Sequence, residues 1–135
     1  MRPLKYKAYL KDYNKIVDVD RLGLNWNGSV QEIIVSDKDL DGTNEWTDFQ
    51  SGQFELMQYI GYKDKNGVEI YDSYIVKITL TETQKTRRGE VIYYDDNACY
   101  LIETANEEYF TFMSADICEI EVLGNIFQNR DLLSK

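Results

Sequence analysis

The sequence predicts a mainly β protein with little helix, in which an N-terminal β-rich portion precedes an SH3-like barrel in the C-terminal half. Short runs of β-branched and aromatic residues recur along the chain, and Tyr74–Leu80 is the clearest of them. Turn signals such as Asn27-Gly28 and Asn66-Gly67 separate these runs. The length of 135 residues fits one compact domain, which we place at residues 1–135.

The N-terminal portion is predicted over residues 1–70. Apolar and polar residues alternate over residues 4–10, and Ile16–Val19 supplies a return strand, so a hairpin opens the protein. Residues 22–26 and 30–35 are further predicted strands. From Asp37 to Gly52 the sequence turns acidic and polar, which predicts a loop over residues 37–52.

The barrel is predicted over residues 71–127, after apolar runs at 54–60 and 70–71. Its five short strands are expected near residues 74–80, 89–94, 99–103, 108–113 and 117–123, because closure of a barrel removes exposed strand edges. The polar stretch Thr81–Arg88 is predicted to be a mobile linker, and residues 130–133 a short helical turn. The alternative to a barrel is an open meander packed on the N-terminal sheet.

The composition limits the catalytic and metal-binding sites that the chain can form. The chain has no histidine, so the usual general base and every imidazole metal ligand are missing. No glycine-rich nucleotide-binding motif and no nucleophile motif occurs. We therefore expect no enzymatic activity and no cofactor, and we assign no catalytic, cofactor-binding or metal-binding residue.

The spacing of the cysteines and the length of the apolar runs give two further expectations. Cys99 and Cys118 lack C-x-x-C spacing, and we interpret both as small buried thiols. No apolar run approaches the ~20 residues that cross a bilayer, and the chain opens on a strand pattern instead of a signal peptide. These features predict a cytoplasmic protein that does not contact membranes.

The acidic stretch 37–48 resembles the start of a calcium-binding loop, since carboxylates alternate along it and Gly42 permits a sharp turn. The residues at ligand positions are Asp37, Asp39, Asp41, Thr43, Glu45 and Asp48. However, the last position carries Asp in place of the longer Glu, and the flanking segments are predicted strands. A solvated acidic loop is the favoured interpretation, and a calcium-stabilised accessory protein is the alternative.

The basic cluster of the chain consists of Lys85, Arg87 and Arg88 and lies on the predicted linker. Such a finger could contact phosphate, which would make the protein a nucleic-acid-associated SH3-like module. Three positive charges on a molecule of net charge −9 must overcome long-range repulsion from a polyanion. We therefore expect no nucleic-acid partner.

Segments at both ends of the chain resemble the YopX-like family of small phage and prophage proteins. They are Lys5–Tyr9, Lys11-Asp12, Phe54–Tyr71, Ile75–Lys77, Glu121–Asn129 and Leu132-Leu133, with tightly spaced Gly61, Asp64 and Gly67. The resemblance covers about two thirds of the chain and leaves out Leu22–Gly52. Family members usually carry Gly-Asp where this chain has Ser73-Tyr74. The resemblance implies a mainly β fold with an SH3-like barrel and a mobile-element origin, and it implies no known activity.

The high tyrosine content bears on partners, because tyrosine is amphipathic and enriched at protein interfaces, although half-buried strand packing accounts for most such residues. The high tyrosine content and the acidic net charge together favour a non-enzymatic interaction or regulatory protein that binds a host or phage protein. Unpaired edges in the N-terminal sheet are compatible with a homo-oligomer.

Overall fold

The computed structural model describes residues 3–36, 38, 40 and 45–133. The strands of this part of the chain are β1 Tyr6–Leu10, β2 Lys15–Asp18, β3 Arg21–Leu24, β4 Val30–Ser36, β5 Trp46–Gln50, β6 Phe54–Lys63, β7 Glu69–Tyr71, β8 Tyr74–Leu80, β9 Thr86–Tyr94, β10 Cys99–Thr104, β11 Tyr109–Thr111 and β12 Ile117–Asn125. Short 3-10 helices cover Asp95–Asn97 and Arg130–Leu133. The predicted mainly β fold with little helix is confirmed.

The chain divides into two compact units, with the boundary inside β6 between Gln58 and Tyr59. We call residues 3–58 the N-terminal unit and the described residues from 59 onward the C-terminal unit. The boundary lies earlier in the chain than residue 70, where the sequence suggested that the N-terminal portion ends. The organisation of residues 1–135 as a single domain stays a prediction.

The N-terminal unit contains two sets of antiparallel strands. β1 pairs with β2 to form the predicted opening hairpin, and it also pairs with Phe54–Gln58 of β6. β4 lies between β3 and β5 in a three-stranded sheet. Alternation along the strands directs one set of side chains inward. The buried members are Ala8, Leu10, Val17, Ile33, Val35, Phe49 and Phe54, which form one apolar cluster.

The prediction that residues 37–52 form a loop is wrong at its C-terminal end, because β5 occupies Trp46–Gln50. β5 pairs along β4 with Phe49 opposite Ile33, and both side chains are buried. Asp48 alternates with Phe49 and faces outward. The acidic composition of the stretch concealed a strand in which one apolar side chain reaches the core.

The C-terminal unit is built on a five-stranded antiparallel sheet with the order β11-β10-β9-β8-β12. β8 to β11 follow one another as a meander, and β12 returns to pair with β8. Its buried cluster consists of Ile70, Val76, Ile78, Val91, Ile102 and Ile120. The five predicted strands are present, and β8 has the predicted bounds. The SH3-like detail stays a prediction.

No helix among the described residues is long and apolar enough to cross a membrane.

Candidate functional site

Four tyrosine rings form two pairs on β9, β10 and β11, and we call Tyr93, Tyr94, Tyr100 and Tyr109 the tyrosine patch. The rings of Tyr93 and Tyr100 meet edge to face with centroids 5.2 Å apart. The rings of Tyr94 and Tyr109 stack with centroids 6.3 Å apart and planes 16° apart. Aromatic pairs in these geometries add stability beyond the area that they bury.

The local sequence explains this placement. Asp95–Asn97 turns the chain as a 3-10 helix and Ala98 adopts the left-handed conformation, so Tyr94 comes opposite Cys99 and Tyr93 opposite Tyr100. Consecutive residues of a strand point to opposite faces, and the two ring pairs therefore lie on the two faces of the hairpin end. Tyr93 shares its face with the buried Val91, whereas Tyr94 lies on the other face.

The patch is exposed although its rings are paired. The exposed fractions are 51% for Tyr93, 40% for Tyr94 and 54% for Tyr109. The Tyr109 hydroxyl donates a hydrogen bond to Glu103 Oε2 at 2.8 Å, which fixes the ring on the strand surface. This hydrogen bond to the carboxylate raises the pKa of Tyr109 above its usual value.

A pair of carboxyl groups lies beside the patch on β9 and β10, where Glu90 is directly opposite Glu103. Burial raises the pKa of Glu90; the neighbouring charge of Arg130 opposes this rise, and those of Glu103 and Asp72 add to it. The sequence alone does not reveal this pair, because the two residues are 13 positions apart and meet only through the strand register. The signal that could have found it is the alternation of β9 against β10.

The basic cluster of Lys85, Arg87 and Arg88 lies only partly in a loop. Arg87 and Arg88 belong to β9, which begins at Thr86, so the prediction that Thr81–Arg88 forms a mobile linker is wrong over its last three residues. Arg87 Nε donates to Glu108 Oε1 at 3.1 Å. Arg88 lies on the opposite face of β9, and one of its terminal nitrogens donates to the Leu132 carbonyl at 3.3 Å. Strand pairing holds these two side chains apart, and Lys85 lies in the exposed turn before β9.

Half of the acidic stretch 37–48 lies outside the described residues, which include Glu45 and Asp48 from its ligand positions. Asp48 Oδ2 accepts a hydrogen bond from Gln50 Nε2 at 3.1 Å. Within the part of the chain that the structure describes, no group of three or more carboxylate or thiol residues could hold a metal ion. The calcium interpretation of this stretch stays untested.

The expectation that both cysteines are buried is wrong. Cys118 is exposed and Cys99 is partly exposed. β12 shifts register between Ile117 and Glu119, and this irregularity displaces Cys118 from the regular alternation of the strand. Its Sγ contacts the Thr79 carbonyl at 3.6 Å.

Asp64 joins the turn after β6 to the edge of β12. Its Oδ1 accepts hydrogen bonds from the backbone N–H groups of Asn66 and Val68 at 2.8 and 2.9 Å, and its Oδ2 accepts one from Val122 at 2.9 Å. The backbone N–H of Lys65 donates to the Ile120 carbonyl at 2.9 Å. The residue is only 8% exposed. Burial opposes ionisation of Asp64, but the three backbone hydrogen bonds outweigh it and lower the pKa below its usual value.

A second constrained turn follows β12. The buried Asn125 accepts backbone hydrogen bonds from Phe127 and Gln128 through Oδ1, both at 3.0 Å, and its own N–H donates to Asn129 Oδ1 at 3.1 Å. A Cβ atom on Gly124 would clash with Asn129 Oδ1. Only glycine therefore fits at position 124 without displacing the Asn129 side chain.

Comparison with known proteins places these observations in a family. The model of the family described as YopX protein matches residues 5–134. This chain belongs to the YopX protein family. The family match also includes Leu22–Gly52, which the sequence resemblance left out.

Two solved structures share the fold. The crystal structure of protein EF1440 from Enterococcus faecalis is 22% identical, with a TM-score of 0.67 over 99% of this chain and 100% of that chain. The crystal structure of protein yopX from Bacillus subtilis is 23% identical, with a TM-score of 0.64 over 96% of this chain and 98% of that chain. No curated protein matches the chain significantly.

The turn between β7 and β8 holds one residue in a conformation that favours glycine. Ser73 occupies the turn between β7 and β8 with a φ of 67°, in the left-handed region that favours glycine. Its N–H donates to the Val91 carbonyl at 2.7 Å, and its own carbonyl accepts from Ile126 at 2.9 Å. These two bonds hold a serine in a conformation that glycine would adopt with less strain.

Proposed function

We propose that this YopX family member is a non-enzymatic interaction module of phage or prophage origin, which acts in the cytoplasm by binding a host or phage protein through its tyrosine patch. The observation that carries the proposal is the exposure of Tyr93, Tyr94 and Tyr109 on a hairpin end whose rings are already held by stacking and by Glu103. Rings fixed before binding lose little conformational freedom when a partner covers them, which favours affinity.

The charge around the patch indicates the chemistry of the partner. Asp95 and Asp96 are exposed in the turn that joins the two strands, and Glu103 lies beside Tyr109. The chain as a whole carries a net charge of −9. A basic segment of a protein would gain attraction over a long range from this charge, and arginine side chains could stack on the exposed rings. We therefore expect a partner that presents arginine or lysine.

The test is capture of proteins from lysogenic cells by the tagged wild-type protein and by the double variant Tyr94→Ser, Tyr109→Ser. The proposal predicts a partner that the wild-type retains and that the double variant loses. Tyr13→Ser is the matched control, because Tyr13 has the same 54% exposed fraction as Tyr109 and also makes one ring contact, which is an edge-to-face contact with Phe49. Equal loss in the control variant, or retention by the double variant, would contradict the proposal.

Nucleic-acid binding is the competing function. The separation of Arg87 from Arg88 by strand alternation, and the ion pair of Arg87 with Glu108, weigh against a joint phosphate-binding surface. We expect no binding of short labelled duplex or single-stranded DNA or RNA at ~150 mM salt, where surface charge is screened over about 8 Å. Fluorescence anisotropy measures this, and saturable micromolar binding that Arg87→Gln with Arg88→Gln removes would favour the nucleic-acid function.

A further inference from the structure

A groove opens where β9 extends past the end of β10. The pairing of β9 with β10 ends at Gly89, which lies opposite Thr104. The pairing of β9 with β8 continues through Arg88 and Arg87 to Thr86. The three residues at the start of β9 therefore have a strand neighbour on the β8 side, while their other side faces the groove. The groove has a volume of about 440 Å³, and Thr86, Arg87, Arg88, Asn106, Leu132 and Leu133 are among the residues that line it.

Arg87 and Arg88 both line the groove from opposite faces of β9, and each makes contacts that use part of its donor capacity. Arg87 donates to Glu108 at 3.1 Å and to the Thr86 carbonyl at 3.0 Å. Arg88 donates to the Leu132 carbonyl at 3.3 Å. A guanidinium has five N–H donors, so these bonds engage two donors of Arg87 and one of Arg88 among the described residues.

In the part of the chain that the structure describes, a carboxylate neutralises the positive charge of Arg87 but not that of Arg88. The Glu108 carboxylate lies against Arg87 and offsets its charge. Among the described residues, no carboxylate lies within 4.0 Å of the Arg88 guanidinium. Arg88 therefore supplies the groove with positive charge, and the fork of its N–H groups matches the two oxygens of a carboxylate.

The remaining lining restricts the kind of anion. Leu132 and Leu133 give the groove an apolar wall beside Arg88. The net charge of −9 disfavours polyanions, because long-range repulsion grows with the charge of the ligand. The open side of residues 86–88 can also receive an extended backbone, as in peptide binding by strand addition.

We propose that this groove binds a carboxylate carried on a small apolar group, which is the chemistry of a peptide carboxyl terminus that ends in an aliphatic residue. Arg88 binds the carboxylate and the leucine wall contacts the aliphatic side chain. The groove lies at the opposite end of β9 from Tyr93 and Tyr94, and the proposal does not depend on the function proposed for the tyrosine patch.

The test is a titration followed by NMR chemical shifts of backbone amides, with N-acetyl-leucine, N-acetyl-leucinamide and inorganic phosphate as separate probes. N-acetyl-leucine should shift the amides of residues 86–88 and 104–106 and saturate at about millimolar concentration, the range expected for a few contacts. Arg88→Gln should weaken this binding roughly tenfold or more, since a hydrogen bond to a charged group is lost. Arg88→Lys keeps the positive charge but lacks the forked N–H groups, so its affinity for N-acetyl-leucine should lie between those of wild-type and Arg88→Gln.

The controls separate the alternatives. Arg21→Gln changes an exposed arginine of the N-terminal unit and should leave the binding unchanged. Equal binding of N-acetyl-leucinamide would show an apolar groove without a carboxylate site and would overturn the proposal. Equal binding of inorganic phosphate would show an unselective anion site and would also overturn it, as would the lack of saturable shifts. Unchanged amide shifts elsewhere in Arg88→Gln would show that this variant is folded.

Discussion

The turn that carries Asp64 and the tyrosine patch are two polar regions of the C-terminal unit that differ in what they do with their side chains. The Asp64 carboxylate is buried and uses both oxygens on three backbone N–H groups of two segments. The rings of Tyr94 and Tyr109 contact each other and remain exposed on their outer surfaces. The first region connects strands, and the second faces outward.

The residues that mark the family are therefore different from the residues that we propose to bind a partner. The signature segments of the family resemblance include Asp64, Gly124 and Asn125, and each of these residues fixes the backbone. Such residues identify the fold and carry no reactive or exposed group. The surface that we propose to bind a partner lies on β9 to β11, outside those segments, so the resemblance identifies the scaffold without indicating the function.

Asp64→Ala should cause the largest loss of stability. It leaves three backbone N–H groups near the β12 edge without their acceptor, which should lower the free energy of unfolding by about 3 kcal/mol. Asp95→Ala is the matched control, because Asp95 is an exposed aspartate in the hairpin turn, and its loss should cost less than about 0.5 kcal/mol. Urea unfolding measures both, and similar costs for the two variants would break the comparison between buried and exposed regions.

The same carboxylate predicts a pH dependence. The folded-state pKa of Asp64 lies below its unfolded value, so its contribution to stability is present above the unfolded pKa of about 3.9 and is lost as the pH falls through the folded pKa. Asp64→Asn has no carboxyl group to titrate. The stability difference between wild-type and Asp64→Asn should therefore stay constant near neutral pH and shrink in the acid range. A difference that does not change with pH, measured by urea unfolding, would show that the pKa of Asp64 is the same in the folded and the unfolded protein, which would contradict the lowered folded-state pKa.

Gly124→Ala should have the next largest effect. The added methyl group would displace the Asn129 side chain and break its hydrogen bond with the Asn125 N–H, at a cost of about 1–3 kcal/mol. In an Asn129→Ala background the side chain that clashes is already gone, so the same substitution should cost clearly less. A double-mutant cycle measures this coupling, and additive costs would contradict the proposed contact.

Ser73→Gly should stabilise the protein slightly. The left-handed conformation at a φ of 67° costs a serine about 1–2 kcal/mol, and the greater freedom of glycine in the unfolded chain offsets part of the gain, which leaves about 0.5 kcal/mol. Ser29→Gly is the control with the opposite expected sign. Ser29 makes side-chain hydrogen bonds with Asn25 and Asn27 and lies outside the left-handed region. A loss of stability in Ser73→Gly would mean that the serine side chain matters more than the backbone strain.

Much of the fold could be predicted from the sequence, since period-two alternation and turn residues act locally. Tyr74–Leu80 was predicted with the bounds of β8, because its β-branched residues lie between clear turn signals. β5 was missed, because in Trp46–Gln50 one buried phenylalanine decides the strand while acidic residues dominate the composition of the surrounding stretch. Cys118 was misplaced because a local shift of register in β12 leaves no mark in the sequence.

Less of the candidate site could be predicted. The sequence shows a high tyrosine content, but the pairing of Tyr94 with Tyr109 depends on how three strands align, which the sequence does not specify. The cluster of Lys85, Arg87 and Arg88 was visible in the sequence. Its division between two faces and its contacts with Glu108 and the Leu132 carbonyl depend on where β9 begins. Residues that meet through strand register therefore need the three-dimensional structure.

The central claim is that Asp64 belongs to the scaffold and that the tyrosine patch belongs to a binding surface. The most direct measurement is to determine urea midpoints and partner capture from lysogenic cells in parallel for Asp64→Asn and for Tyr94→Ser with Tyr109→Ser. We predict that Asp64→Asn lowers the midpoint and still captures the partner where it is folded. The tyrosine variant should keep a free energy of unfolding within about 1 kcal/mol of wild-type and lose the partner. A tyrosine variant that loses stability yet captures the partner, or a folded Asp64→Asn protein that does not, would contradict the account.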